Sequence, residues 1–384
     1  MSELKRLILS ASIGGLGYHP GAPASQPQRL TELGHYRQLL RAAERGRLDF
    51  VLLEDGRAVT GEWPVGRLDA LTVLARLAPE TSSVGLVASK PTTYSEPFTV
   101  SRELATLDFV SGGRAGWDVT TLASSAEAQN YGEPRALPDA ERRLIAAEYV
   151  EVSRKLWDSW EDDAVVLDRA GGRYLDPAKL HHINHVGAHF KIRGPQITYR
   201  PPQGHVVVVA VDRGDPGAPL SAALADVLVL RQPTLVAAQQ AYAEHQQAAA
   251  TAGRDVRVLQ SVLPILGATA ELAQARAAEL DARAPAAGGP DLLRAIGTPA
   301  QVADLLEEWF RAGAADGFHL LPAMLPGDLE ALADELVPEL RRRGLLSAEY
   351  GGRTLREHLG LAQPGSQYAG APSEAFTAYD ASPV

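Results

Sequence analysis

The chain reads as an α/β fold, a closed (β/α)8 barrel of the TIM type with insertions, and three observations lead there. Short apolar runs rich in Val, Ile and Leu alternate with segments of helical spacing along most of the 384 residues. Eight such pairs follow one another with no visible switch point, which favours a closed sheet over an open one. The run 206–211, Val-Val-Val-Val-Ala-Val, is β-branched almost throughout, the mark of a strand buried on both faces of a parallel sheet.

The elements follow in order. Lys5-Arg6 before the apolar run 7–13 mimics a short signal peptide, but Ser10 and Ser12 interrupt it and no small-residue cleavage site follows. Residues 7–11 therefore read as the first buried strand. A helix is expected over 30–45, where Leu33, Tyr36, Leu39, Leu40 and Ala43 share one face. A second strand, 50–53, ends at Glu54-Asp55-Gly56, and a helix over 68–78 leads to a third strand at 84–88. A helix over 98–109 closes on Ser111-Gly112-Gly113 before a fourth strand at 114–119. The long helix 141–160 repeats Leu144, Ala147, Val150 and Leu156 at helical intervals. Residues 161–205 break the rhythm with Gly171-Gly172, Pro177, Gly187, Gly194 and Pro201-Pro202, and read as an excursion from the barrel. Strands resume at 206–211, 227–230, 256–266 and 318–321, with helices over 218–225, 234–252, 271–282, 299–312 and 328–343. Residues 283–297 are Ala/Gly/Pro-rich and read as a loop or a shortened insertion. One domain is expected over 1–360, with 361–384 as a flexible tail of Gly, Pro, Ser and Ala.

Composition removes several functions. Apolar residues make up 45% and charged ones 22%, a balance that supports a packed interior rather than disorder. A net charge of −10, from 37 basic and 47 acidic residues, argues against a nucleic-acid partner. The absence of Cys rules out disulfides, thiolate-ligated metals and a thiol nucleophile, and fits a reducing compartment. No apolar run approaches the roughly 18 residues of a membrane span. A cytoplasmic protein without membrane contact is expected.

A barrel carries its chemistry on the loops after its strands. Gly14-Gly15-Leu16-Gly17-Tyr18-His19, after the first strand, lacks the third glycine and the immediate helix of a dinucleotide fingerprint. His19, Asp55 after the second strand, the hydroxyl-rich Ser89-Lys90-Pro91-Thr92-Thr93-Tyr94 after the third, and Asp118 at the fourth are the candidate site residues. His181, His182, His185 and His189 invite a metal reading, but the intervening Asn184 and Gly187 do not place them on one helical face, so no metal is expected. There is no P-loop and no Gly-x-Ser-x-Gly elbow.

Several blocks resemble the bacterial-luciferase-like flavin monooxygenases, in the branch of the nitrilotriacetate, dibenzothiophene-sulfone and long-chain alkane enzymes. They are Ala43-Glu44-Arg45-Gly46 with Asp49-Phe50, then Thr92-Thr93-Tyr94-Ser95-Glu96-Pro97-Phe98, then Leu107 to Trp117 with its Ser-Gly-Gly-Arg-Ala-Gly-Trp. Further on come Leu156-Trp157-Asp158-Ser159-Trp160, His189-Phe190, Arg193-Gly194-Pro195, Asp316-Gly317-Phe318 and Gly352-Arg353-Thr354-Leu355-Arg356-Glu357-His358-Leu359. The resemblance implies reduced FMN bound at the carboxyl ends of the strands and supplied by a separate NAD(P)H-dependent flavin reductase. It implies use of O2 to oxygenate a small organic substrate, sulfur- and nitrogen-containing compounds being candidates. It also implies a homodimer or homotetramer.

Carried over by position, Asp55 and Ser89 would lie near the flavin and His19 at the substrate side. The chain also departs from the family pattern. Asp118 stands where relatives have Asn, and Arg143 where they have a phosphate-reaching Tyr. After the fifth strand, Val211-Asp212-Arg213-Gly214-Asp215-Pro216-Gly217 replaces a Ser-rich phosphate turn. Arg143 or Arg213, with Gly214 and Gly217, would then hold the phosphate, guanidinium being well matched to it. Two other readings stay open: a degenerate relative that has lost flavin, and an F420-dependent oxidoreductase.

Overall fold

The computed structural model describes residues 6–22, 27–59, 66–213, 224–284 and 292–370. Eight parallel strands close into a barrel: β1 (Ile8–Ser12), β2 (Phe50–Leu53), β3 (Gly85–Pro91), β4 (Ala115–Thr120), β5 (Val207–Val211), β6 (Val227–Leu230), β7 (Arg257–Leu266) and β8 (Gly317–Leu320). Each pairs with the next, and β8 pairs with β1 to close the ring. The flanking helices include α1 (Leu33–Gly46), α2 (Ala70–Leu77), α3 (Pro97–Ser111), α4 (Asp139–Asp158), α5 (Leu235–Thr251), α6 (Ala270–Ala282) and α7 (Pro299–Arg311). These match the expected elements to within a few residues at their ends. The helix expected at 218–225 falls mostly outside the described residues. Residues 283–297, expected as loop, contain a strand, Leu293–Gly297, that pairs in parallel with Val262–Leu266 of β7.

The period of two along each strand divides the core. Ile8, Phe50, Leu52, Val87, Val207, Val209, Val227, Val229 and Leu259 form one buried cluster inside the ring. Leu9, Ala11, Val51, Leu53, Leu86 and Trp117 point outward into the larger cluster shared with the helices. The amino-terminal end of the ring is plugged by the short helix Leu355–His358, whose Leu355, with Leu359 and Leu361, joins the inner cluster. Thr354 and Glu357 form a capping box at its start. Arg356 donates to Asp226 at 3.0 Å and to the His205 carbonyl at 2.8 Å, fixing the plug to the barrel floor.

The excursion after α4 consists of two small antiparallel hairpins, Val165–Asp168 with Arg173–Leu175 and His185–Val186 with Lys191–Ile192. The expected tail begins differently from its composition. Residues 361–370 are held against the excursion: Arg200 donates to the Pro364 carbonyl, Ser366 and Gln367 bond Asp158, and Tyr368 stacks on His181 with centroids 5.2 Å apart. The folded unit thus extends at least to residue 370, and 371–384 lie outside the described residues. No helix among the described residues is long and apolar enough to cross a membrane.

Candidate functional site

Inward-facing positions change character along each strand. At the amino-terminal end they are aliphatic, and toward the carboxyl end the same parity yields Ser10 and Ser12 on β1, Ser89 on β3, Asp118 on β4, Ser261 on β7 and His319 on β8. Glu54 continues Phe50 and Leu52 just past β2, and Arg213 continues Val209 and Val211 just past β5. Of these side chains, Ser12, Glu54, Arg213, Ser261 and His319 line a cavity of about 430 Å³ at the barrel mouth, bounded on one side by residues 14–18. Asp55, Arg67, Asp212, Arg231 and Leu321 complete the wall. Gly17 has φ +150° and runs so close to the backbone of Ala323 that a Cβ would collide with its carbonyl.

One half of the mouth is a continuous hydrogen-bond chain. Ser12 Oγ donates to Glu54 Oε1, and Glu54 Oε2 accepts from Tyr18 Oη at 2.6 Å and from the Gly14 amide at 3.0 Å. Because the Ser12 proton is committed to Glu54, Ser12 accepts from His319 Nε2 at 2.8 Å. His319 Nδ1 then accepts from Ser10 Oγ at 2.8 Å, which assigns the neutral Nε2–H tautomer. Complete burial, helped by Arg213, pushes the His319 imidazole down to about 3, so it stays neutral near pH 7. Burial and the neighbouring Glu54 push the Tyr18 hydroxyl well above its ordinary value.

The other half is an ion pair. Asp118 is fully buried; its Oδ2 accepts from Ser89 Oγ and from Arg213 Nη2, and its Oδ1 has no partner. Burial opposes the charge on Arg213, but Asp118 and Glu54 more than offset it and raise its affinity for the proton. Asp55 pairs with Arg57 at 3.2 Å, and burial holds its carboxyl above the ordinary range.

Four of the expected residues meet at this end of the barrel: Asp55, Ser89, Asp118 and Arg213. Two do not. His19 is tied away from the cavity: its Nδ1 accepts from the Gly21 amide at 3.0 Å and its Nε2 donates to Asp281 on α6 at 3.1 Å. It is not among the residues lining the mouth, and its ring anchors the loop to α6. Arg143 lies on the half-exposed face of α4 and pairs with Asp139 one turn earlier. It too is absent from the mouth lining. Gly214 and Gly217 lie outside the described residues. Glu54, Tyr18, Ser10, Ser12 and His319 were not anticipated; inward parity with Phe50, Ile8 and Gly317 is the signal that finds all but Tyr18, which lies on the loop after β1.

The histidines of the excursion have separate partners. His181 contacts Glu161 at 2.8 Å, His185 contacts Glu148 at 3.1 Å, and His182 contacts the Gly194 carbonyl at 2.8 Å. A larger cavity, about 1020 Å³, lies outside the barrel between α4 and the His185–Ile192 hairpin. Its lining includes no residue at the carboxyl end of a barrel strand, where a barrel places its chemistry, so the smaller cavity is the candidate site.

Comparison with known proteins identifies the family. Residues 15–316 match the family described as luciferase-like monooxygenase. Nitrilotriacetate monooxygenase component A of Aminobacter aminovorans is 35% identical, the alignment covering 92% of this chain and 96% of that protein. Dibenzothiophene-sulfone monooxygenase of Rhodococcus erythropolis is 33% identical, over 88% of this chain and 92% of that protein. EDTA monooxygenase from Chelativorans sp. BNC1 superposes with a TM-score of 0.83 at 28% identity, covering 93% of this chain and 99% of that one. Structures of F420-dependent enzymes share 14% and 16% identity, a likeness of fold alone.

Proposed function

The chain belongs to the luciferase-like monooxygenase family, and from that premise we propose that its barrel mouth binds reduced FMN and uses O2 to oxygenate a small organic substrate. A separate NAD(P)H-dependent flavin reductase would supply the flavin in a two-component system, and a homodimer or homotetramer is the expected assembly. The observation that carries this reading is a cavity edged by charged and hydroxyl side chains at the carboxyl ends of the strands, in a chain aligned over 92% of its length with a monooxygenase component.

The residues present suit the cofactor. The cavity's volume falls within the roughly 300–1,000 Å³ of small-molecule sites. Arg67, Arg213 and Arg231 give it three guanidiniums for a phosphate. When bound, reduced FMN supplies the electrons and the oxygen-reactive ring that no side chain offers.

The protein's own contribution is positioning and exclusion of water. Glu54 gathers three donors, from Ser12, Tyr18 and Gly14, and so holds the 14–18 segment as one wall. His319, neutral and bonded at both nitrogens, is a fixed spacer rather than a proton donor. Leu16, Val211 and Leu321 present the apolar surface that keeps water from the ring. Asp55, on the cavity wall, would lie beside the cofactor, with Ser89 beneath it holding Asp118.

Titration with reduced and oxidised FMN is the direct test, with the reduced form expected to bind more tightly. An oxygen-consumption assay with flavin reductase, NADH and FMN, screened against sulfur compounds and amines, should then show a substrate-dependent product. Failure of both flavin forms to bind would overturn the reading.

A further inference from the structure

We propose that Arg213 is the anion-binding side chain of the mouth and that Asp118 is its internal competitor, so that a phosphate-bearing ligand gains the guanidinium by taking it from Asp118. This rests on the flavin reading.

The geometry gives each partner a different exposure. The Asp118 side chain is 0% exposed, while that of Arg213 is 32% exposed and faces the cavity. Arg213 lines the mouth, whereas Ser89 and Asp118 beneath it do not. A ligand entering the cavity therefore meets the guanidinium first. The Arg213 backbone is held, since its carbonyl accepts from Arg231 Nη1 at 3.0 Å, so a rotation of the side chain alone is enough to exchange partners.

The pairing beneath is incomplete. Asp118 presents one oxygen to Arg213 and leaves the other without a donor, so the guanidinium has a one-oxygen partner there. A phosphate dianion offers a bidentate, doubly charged alternative. Glu54, Asp55 and Asp212 also face the cavity, and their charges set a threshold that a ligand without a cation of its own must exceed. Glu54 is already occupied by three donors, which leaves Asp118 as the carboxylate that holds Arg213. The amide of Asp118→Asn keeps the shape and can still accept from Ser89, but it releases the guanidinium.

The test measures dissociation constants for oxidised FMN and for riboflavin, which lacks the phosphate, by flavin fluorescence. Wild type, D118N, R213Q and the double variant are compared, with R213K in reserve should R213Q not fold. D118N should tighten FMN about tenfold and leave riboflavin within about twofold. R213Q should weaken FMN about tenfold, bring the two flavins close to equal affinity, and cancel the D118N gain in the double variant. A D118N protein whose FMN-to-riboflavin ratio is unchanged or reduced would overturn the competitor role while leaving the flavin reading intact. A wild-type protein that binds neither of these flavins nor reduced FMN would overturn both.

Discussion

The two ends of the barrel each bury an arginine–aspartate pair, and the pairs behave differently. At the floor, Asp226 is held by Arg356 at 3.0 Å, Arg254 at 2.9 Å and the Val208 amide at 2.9 Å, under a lid of Leu355, Leu359 and Leu361. At the mouth, Asp118 has one cation and one hydroxyl, and a cavity beside them. The same chemistry is structural where every oxygen is committed. It stays available where one oxygen is bare and one partner faces solvent.

Breaking the floor should give the largest effect. Arg356→Ala leaves Asp226 short of a partner and unlocks the plug, and a loss of about 3–5 kcal/mol in denaturant unfolding is expected. FMN affinity of the folded fraction should not change. A loss below about 1 kcal/mol would show that the floor is no more committed than the mouth.

A smaller effect, with a characteristic pH dependence, is expected from His319→Asn. In the unfolded chain this imidazole takes a proton below its ordinary value of 6.5, whereas the folded protein resists until about 3. The unfolded state therefore binds more protons in that window, and His319 makes stability rise with pH from about 3 to 6.5 and level off above. Burial holds Asp49 and Asp108 up to about 6, which tilts the profile the opposite way between 3.8 and 6. The difference between variant and wild type isolates His319. It should be most destabilising near pH 7, by roughly 1–3 kcal/mol, and shrink toward pH 4. A pH-independent difference would contradict the assignment of a neutral ring.

The smallest effect sharpens the contrast from outside. Arg143→Ala, which removes a half-exposed pair on α4, should cost under about 0.5 kcal/mol and leave FMN affinity within twofold. A large loss of FMN binding would return Arg143 to the phosphate site.

The barrel was legible because its strands announce themselves twice, by apolar runs and by the helical spacing between them. Leu293–Gly297 escaped because an Arg and a Gly among so few residues, next to an Ala/Gly/Pro-rich stretch, give no such run. The site was half legible. Asp55, Ser89, Asp118 and Arg213 lie where a strand-end rule points, but that rule fixes a level in the barrel and not a direction. His19 lies on the loop that frames the mouth, yet its ring turns toward Asp281. Glu54 reads as the end of the second strand, and Ser10 and Ser12 as breaks in an apolar run. Counting by twos from Phe50 and Ile8 would have turned all three inward. Only the tertiary fold could show that His319 bridges two serines some 300 residues away.

The stretch that clasps the excursion carries a consequence for how the protein is made. Ser366 reaches back across 208 positions to the Asp158 carbonyl, and Tyr368 stacks on His181. During translation the hairpins of the excursion emerge long before their clasp exists. They can be fastened only once residues 364–368 have been made, so this region tightens later than its hairpins can form.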